Sequence, residues 1–409
     1  MKSNFKRLGD YIKVVKVRNV HLKAEKLLGI NIDKFFMPSV ANVIGTDMSV
    51  YKIVKNNQFA CNRMHVGRDY RLPVSLSKTD EEFMVSPAYD VFEIHKTETL
   101  CPEYLMMWFT RREFDRNAWF FTDADVRGGL HWEALCDMQL PIPSITKQRE
   151  IVKEYNVILN RIAINQQLIK KLEETVQAIY KQWFSEFEFP DENGKPYKSN
   201  GGKMVWNEEL GKYIPKGWKL ESIGILANNI YSGGTPSTEI EEYWNGEHYW
   251  FSSGETGNKY IFQTEKTITQ LGIKNSTSKK VERLSTVIAT AGQGKTRGQS
   301  ALLFIDLYIN QSVIAIKPLR KEFSFFIFLN VNSRYLELRN DSDAQSIRGS
   351  INSKDIKSLP VIVPNLDELL VFHNIISPFF EVISNKIKQN IKMSEMKDLL
   401  LSKLATIEN

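Results

Sequence analysis

The strongest chemical signal in this sequence is Gly292-Gln293-Gly294-Lys295-Thr296, which follows the strand-like run Thr286 to Ala289. Glycines ahead of a Lys-Thr pair suit a phosphate-cradling loop, where backbone N–H groups at a helix N-terminus and a lysine ammonium both favour anions. Leu302-Leu303-Phe304-Ile305-Asp306 has the residue types of the apolar strand and aspartate that would hold Mg²⁺. Two features count against a nucleotide site. Ala289 stands where the motif's first glycine belongs, and only Arg297 to Ala301 separate Thr296 from the second strand. A strand–helix–strand crossover needs about ten to twelve residues or more. The expectation is a glycine-bearing connection between strands with Lys295 and Arg297 exposed at its tip; an NTPase acting on its own is the alternative.

Other catalytic constellations are hard to find. A methyltransferase acting on a flipped adenine needs an N-P-P-Y-type loop. The nearest string, Ser377-Pro378-Phe379-Phe380, lacks the second proline and lies in an apolar helical seam, so core packing explains it better, with a divergent DNA methyltransferase kept as a further alternative. Pro190-Asp191 is followed within thirty residues by no E-x-K that would complete a Mg²⁺ site, and its setting is a linker. The six histidines show no ligand spacing, and Cys61, Cys101 and Cys136 form no C-x-x-C pair. We expect no catalytic residue, no metal and no cofactor on this chain.

Positive charge, by contrast, is clustered. Residues 1–26 hold eight Lys or Arg against Asp10 and Glu25, and residues 274–297 hold six against Glu282. Asn62 to Arg71 adds a third basic stretch. Such segments suit phosphate contact, with Arg, Asn and Gln able to read base edges. The residues we expect to contact DNA are Arg63, His65, Arg68, Arg71, Arg127, Thr235, Gln293, Lys295, Arg297, Gln345 and Arg348. The aromatic run Tyr243 to Phe251 could stack on bases, but core and turn packing accounts for it better.

The elements that position these residues repeat. Residues 127–143 and 348–364 align at an offset of 221: Arg127 on Arg348, Gly128 on Gly349, Leu130 on Ile351, Leu135 on Ile356 and Pro143 on Pro364. Val91 and Ile94 fall on Val313 and Ile316 one residue further apart. After each closing proline comes a long helical pattern. In the first, Ile151, Tyr155, Ile158, Ile162, Asn165, Ile169, Leu172, Val176, Ile179 and Trp183 alternate in steps of four and three, an a/d seam broken only by Asn165. This span would be roughly 50 Å long. In the second, Asn365 and Glu368 form a capping-box pattern, Phe372, Ile376, Phe379 and Ile383 continue the spacing, and Ile387, Met393, Met396, Leu400 and Leu404 follow less regularly. Pro378 should kink this helix or mark a restart. Neither helix buries its stripe alone, so the two should pack as an antiparallel pair, in one chain or with a partner subunit. Partner contacts are expected at the seam residues Ile151, Ile158, Asn165, Leu172, Ile179, Phe372 and Phe379.

The fold class expected is α+β, with an internal pseudo-two-fold repeat: a globular domain (1–143), a long helix (144–189), a turn-rich linker (190–206), a second globular domain (207–364) and a second long helix (365–409). Val287 to Ala289, Ala301 to Ile305 and Val313 to Ile316 read as strands and Cys101 to Phe114 as a helix. At 409 residues, 42% hydrophobic and 25% charged, the composition is that of a folded multidomain protein with a mild excess of +6. No apolar run is long enough to span a bilayer and no secretory leader opens the chain, which predicts a cytoplasmic protein.

These features resemble the specificity subunits of type I restriction–modification systems. The segment Phe187 to Met204 with Ile214-Pro215-Lys216-Gly217-Trp218 looks like that family's central junction. Ser232 to Ser237 with Tyr243 to Gly246 and Trp250 resembles the opening of its target recognition domains, and Ala291 to Gly298 its recurring G-x-x-G-K loop. Pro143 with Gln148 to Val152 looks like the start of its first helical region. The resemblance implies two target recognition domains separated by an antiparallel coiled coil, each reading half of an asymmetric double-stranded DNA target. Helices of this length would separate the half-sites by more than one DNA turn of about 34 Å. Methyltransferase (M) and restriction (R) subunits would be the partners and would carry S-adenosylmethionine and ATP.

Overall fold

The computed structural model describes residues 5–40, 44–122, 128–292, 295–345 and 350–407. Two compact units are present: residues 1–164 with 390–409, and residues 165–389.

Each unit is built on the same antiparallel sheet. In the first, the strands lie in the order Ile12–Val15, Asp90–Ile94, Gln58–Cys61, Val74–Leu76. In the second the order is Ala227–Ser232, Val313–Pro318, Thr286–Ala289, Ser300–Leu303, with Tyr260–Ile261 added in parallel at the edge. Both sheets therefore place their strands first, fourth, second, third by sequence. Both continue alike, through two helices (Pro102–Thr110 and Arg112–Phe120; Ser324–Ser333 and Tyr335–Gln345) and a short helix (Trp132–Asp137; Ser353–Ser358). A short strand then pairs with the unit's opening strand: Gln139–Pro141 with Phe5–Arg7, and Pro360–Val363 with Lys219–Ser222. The long helices Ile145–Phe184 and Leu366–Lys403 follow. The repeat read at offset 221 is a repeat of topology. The units differ in what they add, two small two-stranded sheets in the first and a second four-stranded sheet built on Trp244–Phe251 in the second.

Buried Phe59 and Phe92 of the central strands form the first core with the helix residues Tyr104, Leu105 and Phe109, while Ala60 and Val91 pack in a separate cluster with Val54, Phe83 and Val85. Ile151 and Val152 of the first long helix, Leu401 of the second and Leu404 just past its end join the Phe59 core. Gln148, fully buried, fixes the helix start: its amide donates to the carbonyls of Thr99 and Pro143, both at 2.8 Å, and its oxygen accepts from Cys101 N at 2.8 Å. At offset 221 the position is Leu369, 1% exposed, so packing replaces the hydrogen bonds.

In the second unit, Val176, Tyr180, Trp183 and Phe184 pack against Leu369, Phe372, Ile376 and Phe380. Trp183 lies by Phe372, with ring centroids 5.3 Å apart, while Asn165 Nδ2 lies 3.5 Å from Gln389 Oε1, so the two helical segments run antiparallel there. Asn365 and Glu368 do form the expected box: Glu368 N donates to Asn365 Oδ1 at 3.0 Å and Asn365 N to Glu368 Oε2 at 3.2 Å.

Four expectations change. Phe380 takes the fully buried position and Phe379 only half of one, because 3.6 residues per turn drifts against a strict heptad. Met396 is exposed. The helix runs through Pro378 without restarting. The helix expected over Cys101 to Phe114 breaks at Arg111, whose backbone is extended and whose guanidinium lies 4.2 Å over Trp108 and 3.4 Å from Glu113.

The first long helix ends at Phe184 rather than 189, and the segment that follows is more than a connector, since it lies inside the second unit. Phe187 and Phe189 are buried, Phe189 stacking between Tyr197 (4.5 Å) and Trp218 (4.8 Å). Asp191 Oδ1 accepts from Asn193 N and Lys195 N, which fixes the turn and holds its carboxyl below the usual range. The hairpin Met204–Asn207 with Lys212–Pro215 spans the expected boundary at 206/207.

Candidate nucleic-acid interface

Asn62 to Arg71 and the Lys295 and Arg297 end of the second basic stretch occupy the same place in the repeat, while Lys274, Lys279, Lys280 and Arg283 lie elsewhere. Residues 62–73 connect Gln58–Cys61 to Val74–Leu76, and residues 290–299 connect Thr286–Ala289 to Ser300–Leu303. The flanking strands pair antiparallel, Thr286 opposite Leu302 and Ile288 opposite Ser300. Lys295 and Thr296 therefore lie in a hairpin connection with no helix among its described residues to cradle a phosphate, and the NTPase alternative is not favoured.

In both units the segment beyond the paired helices returns to this connection. Leu130 N donates to the Arg63 carbonyl at 3.0 Å, and Ile351 N, its equivalent at offset 221, donates to the Thr290 carbonyl at 3.2 Å. In the first unit the approach is closer still, Gly67 N donating to the Gly128 carbonyl at 2.7 Å. A Cβ on Gly67 would lie 2.6 Å from Gly128 Cα, and Gly128 itself has φ +52°. Only glycine fits at this crossing. We expect Gly67→Ala to cost about 1–3 kcal/mol of stability, whereas Gly29→Ala, with nothing within 4 Å of the added carbon, should leave stability unchanged; thermal melting would measure this.

The expected DNA residues fall into different settings. Arg63 is engaged internally: Nε donates to Asp90 Oδ2 at 2.6 Å, Nη1 to the Leu130 carbonyl, and the guanidinium lies 5.8 Å over Trp132. It holds the connection in place. His65 precedes the one-turn helix Val66–Asp69 and is half-buried. Arg68 is exposed, with Nε 2.6 Å and Nη2 3.0 Å from the Asp69 carboxylate, which it holds below the usual carboxylate range. Arg71 is exposed and lies 2.8 Å from Asp33. Lys295 is exposed, and its carbonyl accepts from Tyr335 Oη at 2.8 Å, which in turn accepts from Arg339 Nη1 at 3.1 Å. Arg297 is half-buried beside it. Arg127, Gln293 and Arg348 lie outside the described residues, as does the side chain of Gln345.

Thr235 sits elsewhere, donating to Gln311 Oε1 at 2.5 Å. Its Gly233-Gly234 pair donates to the Asn310 and Ile309 carbonyls, and added Cβ atoms there would lie 2.0 Å from Ile309 O and 1.9 Å from Thr277 Oγ1. The motif is a close-packed corner between the two sheets of its unit. Trp250 and Phe251 of the aromatic run are core. The described basic residues of the first stretch, from Lys6 to Lys26, spread over several elements, and three of them pair with acids, Arg7 with Asp137, Lys13 with Glu93 and Lys26 with Glu81.

Sequence reading missed Tyr335 and Arg339, and it missed the exposed aromatic residues Tyr70, Trp119, Phe120 and Phe121 of the first unit. A signal for the latter was present: Trp119-Phe120-Phe121 continues past the buried helix face of Phe114 and Ala118. Among the described residues no three His, Cys, Asp or Glu side chains group so as to hold a metal. No helix among them is long and apolar enough to cross a membrane. Cys61, Cys101 and Cys136 are buried free thiols, and burial raises the pKa of each.

Residues 215–393 match the type I restriction modification DNA specificity domain. The chain is 23% identical over 290 residues to the type I restriction enzyme MjaIX specificity subunit of Methanocaldococcus jannaschii, an alignment covering 68% of this chain and 64% of that one. It is 20% identical over 426 residues to the HindI specificity subunit of Haemophilus influenzae, covering 91% of each. The crystal structure of a type I restriction–modification S subunit from M. genitalium shares the fold at 12% identity and a TM-score of 0.59, covering 99% of this chain and 96% of that one.

Proposed function

We propose that this chain, a member of the family of type I restriction–modification specificity subunits, is a non-catalytic subunit that reads double-stranded DNA in two halves, one with each unit. The observation that carries the reading is the repeated sheet, which presents an exposed cationic side chain on the same strand connection in both units, Arg68 in one and Lys295 in the other. The differing additions to the two sheets support two different half-sites and hence an asymmetric target. Methyltransferase subunits would dock on the helical pair, which sets the spacing, and restriction subunits would join them in the cytoplasm. Methyl transfer with S-adenosylmethionine and cleavage with ATP would belong to those partners.

The local test is salt dependence. Each phosphate contact contributes about 0.9 to the slope of log K against log salt. Lys295→Ala should weaken binding and flatten the slope by about that amount, with the specific sequence unchanged. Methyl transfer or ATP hydrolysis by the purified chain alone, lost in Lys295→Ala, would instead make it an enzyme.

A further inference from the structure

We propose that Tyr70, Trp119, Phe120 and Phe121 form a stacking surface for DNA bases in the half-site read by the first unit; this rests on the DNA-reading function above. Phe120 is 76% exposed, Tyr70 63%, Phe121 52% and Trp119 45%. Four large rings held in water within one small region are costly unless a partner covers them. The Tyr70 and Trp119 ring centroids lie 5.3 Å apart, as do those of Phe120 and Phe121. Tyr70 has φ +56°, an unfavourable backbone for a bulky residue, at the end of the turn that carries Arg68.

The surface is tied to the arginine-bearing connection. Thr122, next to Phe121, bridges to Leu130, whose N–H donates to the Arg63 carbonyl. Arg68, two residues before Tyr70, and Arg116, three residues before Trp119, are 64% and 77% exposed, their ion pairs open to water and easily exchanged for phosphate. Aromatic rings bordered by arginines match a duplex opened at one base step, with the rings wedged against the bases they unstack and charge for the backbone. The second unit lacks the feature: its equivalent helix ends Asn340-Asp341-Ser342-Asp343-Ala344-Gln345. A protein docking on the repeated frame would meet the same surface twice, whereas two different half-sites call for two different surfaces.

The test uses the full chain, alone and assembled with methyltransferase subunits, on duplexes carrying the target fixed by mapping methylated bases. Phe120→Ala with Phe121→Ala should weaken binding on the order of tenfold or more, since base stacking on an aromatic ring is worth about 5- to 150-fold per base. The salt slope should stay unchanged, because no phosphate contact is lost, and Phe120→Tyr should retain affinity. 2-Aminopurine placed through the first unit's half-site should change fluorescence on binding, and the double variant should abolish that change. Unaltered affinity and fluorescence in the double variant, while Lys295→Ala and Arg68→Ala still weaken binding, overturns the stacking surface and leaves the DNA-reading function standing. Loss of subunit assembly with intact DNA binding by the free chain assigns the rings to a protein contact and overturns the proposal. Absence of sequence-specific binding by the unaltered assembly overturns the function itself.

Discussion

Asp115→Ala should unfold or severely loosen the first unit, at a cost of about 3–5 kcal/mol. The Lys34 and Asp115 side chains are 5% and 12% exposed and form an ion pair at 2.7 Å. Asp115 Oδ1 also accepts from Leu72 N at 3.1 Å, and Lys34 Nζ donates to the Phe109 carbonyl. Burial lowers the pKa of the Lys34 ammonium below its ordinary value, and Asp115 is the group that opposes this. Removing the carboxylate leaves a buried cation and an unpaired Leu72 N–H, whereas an exposed pair such as Lys26–Glu81 (52% and 64% exposed) contributes little. In the variant the native state holds the Lys34 proton more weakly than the unfolded chain does. The unfolded chain then binds more protons, so the variant's stability should rise as pH increases from neutral toward the ordinary lysine range. Replacing both partners by apolar residues, Lys34→Met with Asp115→Leu, should recover most of the loss. Because Leu72 ends the connection bearing Arg68, the single variant should also lose recognition of one half of the target while keeping the other. Chemical denaturation across pH and methylation assays measure these effects; an Asp115→Ala protein as stable as the parent would show that the pair is not buried in solution.

Phe372→Ala should cost the second unit a similar amount, about 3–5 kcal/mol. Phe372 is 1% exposed, and its ring meets Phe184 at 4.8 Å, Trp183 at 5.3 Å and Tyr180 at 6.3 Å. Removing the ring opens a cavity where residues from both long helices and the sheet's helices converge, and large rings cannot close in without leaving their rotamers. Phe379→Ala, half-buried at the edge of the same cluster, should cost distinctly less. Hydrogen exchange resolved by peptide would place the loss in residues 165–389; equal costs for the two variants would mean that the buried register is the strict heptad after all.

Local patterns carried the parts of this fold that local physics determines. The capping box at Asn365 and Glu368, the strands around Val287 and Val313 and the long helices follow from spacing alone, and the R-G and proline matches at offset 221 disclosed a repeat whose two copies share strand order. What stayed hidden are contacts between residues distant in sequence. Nothing near Gly67 announces that Gly128 must cross it, and Lys34 and Asp115 are 81 residues apart. Arg63 reads as a free arginine until Asp90 is folded against it. The linker reads as polar turns because Asp191 to Gly194 are polar, while its aromatic residues Phe187, Phe189 and Tyr197 fill one side of a core. Of the candidate interface, composition located the basic connections, but only the fold separated exposed Arg68 and Lys295 from internally engaged Arg63 and Thr235.

The central claim, that each unit reads its own half of the target, is tested most directly by exchanging residues 216–364 for those of a relative with a different target. This cut leaves the hairpin Met204–Asn207 with Lys212–Pro215 whole and moves both members of the Lys219–Ser222 and Pro360–Val363 pair together. Mapping methylated bases across the host genome should then show one half of the recognition sequence replaced and the other half and the spacing retained. A target changed in both halves, or in neither, would contradict it.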